Sequence, residues 1–146
     1  MTWQAKRYHD FSYGHRVHQH ESKCAHLHGH NGRVHFTCEA DKLDSVGRVI
    51  DFSDIKTRLC EWLETNWDHR FLVWVADPMA KALKELDPTV VITPFNPTAE
   101  NMAQYLVEVV GPAQLAGTGI RLVRVEFEET RKCSALYANT NSGLLE

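Results

Sequence analysis

The chain has 146 residues, of which 43% are hydrophobic and 24% are charged, and these values are typical of a globular domain. The formal net charge is −3 and no basic block occurs, which argues against nucleic acid as the main partner. No apolar run approaches the ~20 residues that a membrane-spanning helix needs. We therefore expect one domain over residues 1–146, without a membrane segment and without a nucleic-acid partner.

Four cysteines are spread along the chain, at Cys24, Cys38, Cys60 and Cys133, and no CxxC pair occurs. The N-terminal segment lacks the apolar core of a signal peptide, so secretion is not indicated. We therefore expect reduced thiols and a cytoplasmic location.

The first half of the chain predicts two strands separated by a polar loop. Residues 3–12 are predicted as the first strand and residues 13–27 as the loop. Residues 28–40 alternate, so that His28, His30 and the even-numbered positions after them share one face of a second strand. Residues 41–48 are predicted as a turn, and 49–52 as a continuing strand.

The second half changes to helical spacing. Residues 53–66 are predicted as a helix, and 96–112 as a second one that starts at Asn-Pro and ends at Gly-Pro. A short helical or irregular connection at 77–87 and a short strand at 89–95 separate them, and 119–139 supplies the last strand or two. The buried stripes are predicted to be Ile55, Leu59, Trp62 and Leu63 in the first helix, and Met102, Leu106, Val109 and Val110 in the second.

The resulting order, β-β-α-α-β-β, lacks the alternation of a doubly wound sheet. It predicts an α+β domain in which two helices pack on one face of a mostly antiparallel sheet. The other face and the edges of such a sheet need cover, which favours a homo-oligomer.

Seven of the nine histidines lie between Phe11 and Phe36. His28 and His30 are two residues apart on an extended segment, so their imidazoles point the same way. A third imidazole beside them would make a three-nitrogen site suited to Zn²⁺ with an open fourth position. We predict His15 as this third ligand, because the preceding FSYG segment fixes its backbone.

The other histidines of this stretch are weaker candidates. His18 and His20 lie in a looser segment, and His35 falls on the opposite face of the second strand, so we predict that His35 is not a ligand. Cys24 lies four residues before His28. It could close the metal shell as a fourth ligand, or it could be a thiolate activated beside the metal, and the spacing leaves both readings open.

Two carboxylates outside the histidine cluster could carry chemistry. Asp68 directly precedes His69, and the pair could form a proton relay if it lies in a turn, or be a polar pair at a helix end. Glu129 continues the inward stripe of Val125 and Phe127. Its partner could be a structural arginine or a ligand with two adjacent N–H donors, such as the guanidine-like edge of a pterin.

Taken together, these motifs resemble the 6-pyruvoyl tetrahydropterin synthase and 6-carboxytetrahydropterin synthase family. The match runs from about residue 5 to residue 138. The motifs are Phe11 to Arg16, Cys24 to His30, VIDFSDIK (49–56), Asp68-His69, PTAEN (97–101) and EETRKCSALY (128–137).

The resemblance implies the tunnelling fold, an antiparallel four-stranded sheet with two helices on one face. Subunits of this fold form a ring trimer, often a hexamer, with active sites between subunits. The resemblance also implies roles for nine residues: zinc ligands His15, His28 and His30, catalytic Cys24, proton relay Asp68 and His69, pterin anchor Glu129, and pocket residues Thr98 and Glu100.

The implied substrate is 7,8-dihydroneopterin triphosphate. The three-residue gap between Cys24 and His28 resembles the bacterial carboxy type, a zinc-dependent carbon-carbon lyase that releases acetaldehyde and triphosphate and makes 6-carboxy-5,6,7,8-tetrahydropterin for queuosine. The alternatives are the pyruvoyl type, which eliminates triphosphate only, and a non-catalytic zinc-stabilised binding module. Arg16, Lys23 and Lys132 are candidate cations for the triphosphate, and the long segment 73–95 departs from the shortest members of the family.

Overall fold

The structure is a computed structural model, and it describes residues 1–139. Within that range, six strands form one sheet and three helices pack beside it. The strands are β1 (Trp3–His15), β2 (His28–Ala40), β3 (Arg70–Trp74), β4 (Val91–Thr93), β5 (Arg121–Glu128) and β6 (Ser134–Ala138). Helix α1 comprises Phe52–Ile55, a π-helical turn Lys56–Cys60 and Glu61–Asn66. Helix α2 is Ala80–Leu86, and α3 comprises Ala99–Tyr105, a π-helical turn Leu106–Val110 and Gly111–Gln114. A 3-10 turn spans Lys23–Ala25.

The long β1–β2 hairpin is the centre of the sheet. The two strands are antiparallel and stay paired from Trp3 opposite Ala40 to His15 opposite His28. The sheet order is β4-β3-β1-β2-β5-β6. This register brings the end of β1 beside the beginning of β2, where the predicted ligands lie.

The sheet is six-stranded and mixed and three helices accompany it, so the prediction of a four-stranded antiparallel sheet with two helices was wrong. Strand β3 pairs in parallel with the last three residues of β1, and β4 pairs in parallel with β3. Strand β3 was not predicted, because RFLVW is a short apolar run without alternation. Gly14 makes room for it, since a Cβ there would lie 2.7 Å from the Phe71 ring.

Several predicted boundaries were also wrong: β1 extends to His15 into the predicted loop, β4 is shorter than 89–95, and α3 begins at Ala99 rather than at 96. Residues 49–52 do not continue a strand, because Asp51 caps helix α1 by accepting a hydrogen bond from Ser53 N–H. Helix α3 continues past Gly111 to Gln114. The π-helical turn before Gly111 widens the helix, which accommodates Pro112 although it has no N–H to donate.

The core lies between α1, α3 and one face of the sheet. Ile55, Leu59 and Leu63 of α1 are buried as predicted, whereas Trp62 is only half-buried and Val109 of α3 is exposed. The sheet contributes Phe11, Tyr13, Val34, Phe36, Val125 and Phe127. None of the helices in the described range is both long enough and apolar enough to span a membrane.

Candidate metal centre and active site

The β1–β2 register gathers three imidazoles at one end of the hairpin. His15 pairs with His28 across the ladder, and Tyr13 pairs with His30. The ring centroids of the three histidines lie 4.6 to 5.0 Å apart. One nitrogen from each ring lies within 4.8 Å of the others, and no other set of three His, Cys, Asp or Glu side chains in residues 1–139 is gathered as closely.

Backbone carbonyls fix the tautomers of two of these imidazoles. His15 Nδ1 lies 2.7 Å from the carbonyl oxygen of Pro97, and His28 Nδ1 lies 2.7 Å from that of His26. Since a carbonyl only accepts, each Nδ1 carries the proton and each Nε2 keeps a free lone pair. The Nε2 atoms of His15, His28 and His30 are buried without a hydrogen-bond partner among the described residues, so a metal ion would satisfy all three.

Burial favours the neutral form that ligation requires at His15 and His30. His15 is 1% exposed, and burial lowers its pKa to about 4. Burial also lowers the pKa of His30. The donor set therefore fits a divalent ion bound by neutral nitrogen ligands.

Glu129 faces this cluster from the end of β5. Its two carboxylate oxygens lie 3.7 Å from His15 Nε2 and 3.8 Å from His30 Nε2, which is too far for hydrogen bonds. Its backbone N–H donates to the carbonyl of Cys133 at 3.1 Å, which closes a turn before β6. The carboxylate thus borders the histidine cluster with oxygens available for another donor.

The remaining histidines of the 11–36 stretch lie outside the cluster. His35 pairs with Glu128. His18 is tied through its backbone to Asn96, and His20 Nδ1 accepts a hydrogen bond from Ser22 N–H.

Cys24 lies in the 3-10 turn and is half-buried. It does not belong to the group of three close ligands. It lines a cavity of about 200 Å³ together with the predicted pocket residues Thr98 and Glu100 and the carboxylate of Glu129. Thr98 also caps α3, since its hydroxyl accepts a hydrogen bond from Asn101 N–H. The structure therefore brings Cys24, Thr98, Glu100 and Glu129 to one cavity.

Asp68 and His69 occupy the tight turn between α1 and β3. His69 Nδ1 lies 2.9 Å from Asp68 Oδ2, and His69 has a φ of 60°. The turn is tied to β1 near its C-terminal end, because Ser12 N–H donates to Asp68 Oδ1 and His69 N–H donates to the Ser12 carbonyl. Burial raises the pKa of the Asp68 carboxyl, but the hydrogen bonds from Ser12 and His69 outweigh it and leave the pKa below its usual value. The pair has the turn geometry that a relay requires.

The Asp68–His69 pair and the Cys24 thiol line different cavities of the chain. Asp68, His69, His30 and Glu129 line a cavity of about 720 Å³, and Cys24 is not among its lining residues. Glu129 borders both cavities.

Three further side chains at the site were not selected from the sequence. The Tyr13 hydroxyl is buried without a hydrogen-bond partner among the described residues, and its ring centroid lies 5.2 Å from that of His15. Cys133 lines the cavity of Cys24, and Arg131 lines the cavity of His69. Alternation in β1 indicates that Tyr13 shares a face with His15, whereas no local pattern marks the other two.

Comparison with known proteins assigns the family. A family model described as 6-pyruvoyl tetrahydropterin synthase matches residues 4–140. The chain belongs to the 6-pyruvoyl tetrahydropterin synthase family. The resemblance seen in the motifs is thereby confirmed.

Named relatives of the chain align with most of its length. A 6-carboxy-5,6,7,8-tetrahydropterin synthase of Rickettsia typhi is 32% identical over 126 residues, covering 85% of this chain and 91% of the relative. One of Aquifex aeolicus is 30% identical and covers 94% of this chain and 98% of the relative. These named relatives support a pterin enzyme.

Solved structures support the fold. An uncharacterized protein of Wolinella succinogenes superposes with a TM-score of 0.84 at 26% identity, covering 95% of this chain and 99% of that one. The 6-pyruvoyl tetrahydropterin synthase of Caenorhabditis elegans superposes with a TM-score of 0.68 at 24% identity, covering 94% and 96%.

Proposed function

We propose that this protein is a zinc-dependent carbon-carbon lyase. It converts 7,8-dihydroneopterin triphosphate and one water molecule to 6-carboxy-5,6,7,8-tetrahydropterin, acetaldehyde and triphosphate, as a step of queuosine or 7-deazapurine synthesis. The observation that carries the proposal is the set of three buried, unpartnered Nε2 atoms within 4.8 Å of one another. A carboxylate beside this set also borders the cavity of a half-buried thiol.

His15, His28 and His30 are the proposed ligands of Zn²⁺. The carbonyls of Pro97 and His26 hold two of the imidazoles in the ligating tautomer. Zinc at this site would supply Lewis acidity toward the side-chain hydroxyls of the substrate.

Residues around the metal site are proposed to orient the pterin and move its protons. Glu129 anchors the pterin by accepting hydrogen bonds from its two adjacent N–H donors, and Thr98 and Glu100 line the same pocket. Cys24 and His69 transfer protons between ring and side-chain carbons. Asp68 holds the His69 imidazole in orientation through their 2.9 Å hydrogen bond.

Two sequence features favour the carboxy product over the pyruvoyl product. The gap between Cys24 and His28 is three residues. The curated relatives at 30–32% identity are named for the carboxy product. The pyruvoyl synthase is the second candidate, since family members bear that name.

We further propose a cytoplasmic homo-oligomer, a trimer or hexamer with the tunnelling fold's ring. Its active sites lie between subunits, since Cys24 and His69 line different cavities of one protomer. The only substrate partner in this proposal is the pterin triphosphate, with no nucleic acid and no membrane.

A product analysis tests the reaction. The zinc-loaded protein is incubated with 7,8-dihydroneopterin triphosphate, and acetaldehyde and pterin mass are assayed together. We expect acetaldehyde and a carboxylated tetrahydropterin in equal amounts. A pyruvoyl product without acetaldehyde would assign the chain to the second candidate.

The same assay tests the non-catalytic alternative. A zinc-stabilised binding module would leave the substrate intact, and Cys24→Ala would then release zinc or unfold the chain. Under the proposed function, Cys24→Ala keeps zinc and lowers turnover by at least about 100-fold.

A further inference from the structure

We propose that Asp77 is a positioning residue for Cys24 and that it acts through Arg16. The proposal rests on the proposed function in one respect, because it takes Cys24 as the reacting thiol. It gives a role to the 73–95 segment, which departs from the shortest members of the family.

Asp77 is a buried carboxylate with fixed partners. It follows β3, where its N–H donates to the carbonyl of Trp74, and its side chain is 0% exposed. Oδ1 accepts from Met79 N–H at 2.9 Å, and Oδ2 accepts from Arg16 Nε at 2.8 Å. A buried charge needs such a partner, so the carboxylate determines where the guanidinium of Arg16 lies.

Arg16 connects that carboxylate to the turn that carries Cys24. Its Nη1 donates to the carbonyl of Ala25 at 2.6 Å, and the N–H of the next residue, Val17, donates to the carbonyl of Cys24 at 2.9 Å. Two consecutive carbonyls of the 3-10 turn are therefore held by Arg16 and Val17. The position of the Cys24 sulfur at the cavity wall depends on these two hydrogen bonds, from Arg16 and Val17, which we call the clamp.

A second connection holds the same loop at the far end of the segment. His18 N–H donates to Asn96 Oδ1 at 3.2 Å, and Asn96 Nδ2 donates back to the His18 carbonyl at 3.1 Å. The loop that carries Cys24 is thus bound by Asp77, which precedes β4 in the chain, and by Asn96, which follows it. Without the Asp77 charge, the guanidinium loses its buried partner and the Ala25 carbonyl loses a fixed donor.

This geometry also revises the role considered for Arg16. Its Nε and Nη1 are engaged with Asp77 and Ala25, and its Nη2 lies 3.4 Å from His18 Nδ1. Arg16 is therefore committed to the loop and is a poor candidate for the triphosphate.

The test compares Asp77→Asn with Asp87→Asn. Both carboxylates accept a hydrogen bond from the N–H two residues on, but Asp87 is exposed and binds no arginine. The first readout is the rate at which iodoacetamide alkylates Cys24, measured by mass spectrometry on the tryptic peptide 24–33. We expect Cys24 to be alkylated at least about threefold faster in Asp77→Asn than in the wild type, because a loosened turn exposes the half-buried thiol. In Asp87→Asn the alkylation rate of Cys24 should stay near that of the wild type.

The two buried cysteines serve as internal controls. Cys38 and Cys60 fall on separate tryptic peptides, 34–42 and 59–70. Their alkylation rates stay unchanged in Asp77→Asn if only the turn is loosened. If buried Cys38 and Cys60 accelerate as much as Cys24, the effect is general unfolding and the proposal is overturned.

Turnover is the second readout. We expect Asp77→Asn to lower kcat about tenfold while KM and zinc content stay within twofold of wild type, because a misplaced thiol affects the chemical step. The double variant Arg16→Gln/Asp77→Asn should be no worse than the worse of its two single variants, since both residues act in one chain of contacts.

Unchanged Cys24 alkylation in both Asp77→Asn and Arg16→Lys would overturn the positioning role. Arg16→Lys retains the charge but not the fork that reaches Asp77 and Ala25 together, so it tests the clamp if Asp77→Asn does not fold. Alkylation requires no pterin turnover. If the wild-type protein has no lyase activity but Cys24 is still alkylated faster in Asp77→Asn, the proposed function is contradicted and the positioning role stands.

Discussion

The Nδ1–H groups of His15 and His28 donate to backbone carbonyls, and this contact sets the chemistry of each imidazole. It leaves Nε2 unprotonated and directed into a buried space where no described side chain satisfies it. His35 lies on the same strand as His28 but pairs with Glu128 instead. The hydrogen-bond partner of the ring therefore distinguishes His15 and His28 from His35.

The first prediction concerns the metal ligands. His30→Ala should weaken zinc binding by at least about 100-fold, because a three-nitrogen site loses one donor. His35→Ala on the same strand is the matched control and should bind zinc as the wild type does. Zinc content after dialysis and titration with a chelator would measure both, and equal affinities would remove His30 from the ligand set.

The second prediction concerns pH. Burial lowers the pKa of His15 to about 4 in the folded protein, below its value of about 6.5 in the unfolded chain. The unfolded chain therefore binds more protons between these values, so stability contributed by neutral His15 is complete above pH 6.5 and is lost as pH falls toward 4. For metal-free protein this loss amounts to about 3 kcal/mol.

Urea unfolding of the chelator-treated protein at pH 7 and pH 4.5 measures the effect. His15→Gln has no proton to gain, so its unfolding free energy should fall less over the same interval. Parallel pH dependence in the two proteins would mean that other groups control the acid lability.

At the scale of elements, the turn between α1 and β3 holds Asp68 and His69 at a conformational cost. His69 has a φ of 60°, in the left-handed region that glycine adopts more easily. The side chain is 80% exposed, so packing does not explain the choice of histidine. Strain at an exposed imidazole held by a carboxylate is consistent with a role in proton transfer.

The third prediction follows from this strain. His69→Gly should raise the unfolding free energy by up to about 1 kcal/mol. Glycine adopts the left-handed φ without the steric cost of a side chain, and this gain exceeds the extra conformational entropy that glycine loses on folding. The same variant should lower kcat at least about 100-fold, because the imidazole is gone. His69→Asn, which tolerates this φ, should lose turnover without gaining stability, and full activity in either variant would exclude His69 from the relay.

At the scale of the whole molecule, the thiol of Cys24 and the proposed relay of Asp68 and His69 line different cavities. Cys24 lines one cavity and His69 another, with Glu129 at the border of both. The proposed ring would bring the thiol of one subunit to the relay of its neighbour. The single-domain assignment and the cytoplasmic location stay predictions.

The fourth prediction tests this sharing between subunits. Cys24→Ala and His69→Ala are each expected to be inactive. Co-assembled in equal amounts, they should recover roughly one quarter of wild-type activity, because about one site in four combines an intact Cys24 from one subunit with an intact His69 from its neighbour. Activity of co-expressed, doubly tagged oligomers measures this. Separately assembled variants mixed without exchange are the control, and no recovery in true mixed oligomers would place each site within one chain.

The sequence predicted the elements that have a clear period. Strand β2 lies at 28–40 as predicted, and helix α1 differs from its prediction by one residue at its start. It did not predict β3, because a five-residue apolar run has no period to distinguish it. Nor did it predict the continuation of α3 through Pro112, because a π-helical turn has no simple sequence signature.

For the site, the sequence by itself determined the chemistry available: three imidazoles in fixed spacing, a thiol four residues before one of them, an Asp-His pair and a carboxylate on an inward stripe. The tertiary structure alone decided which of these meet. The β1–β2 register placed His15 against His28, the Pro97 carbonyl fixed its tautomer, and Asp77 held the loop of Cys24 through Arg16. These contacts join residues 13 to 82 positions apart, and distances of that kind depend on the fold rather than on local periodicity.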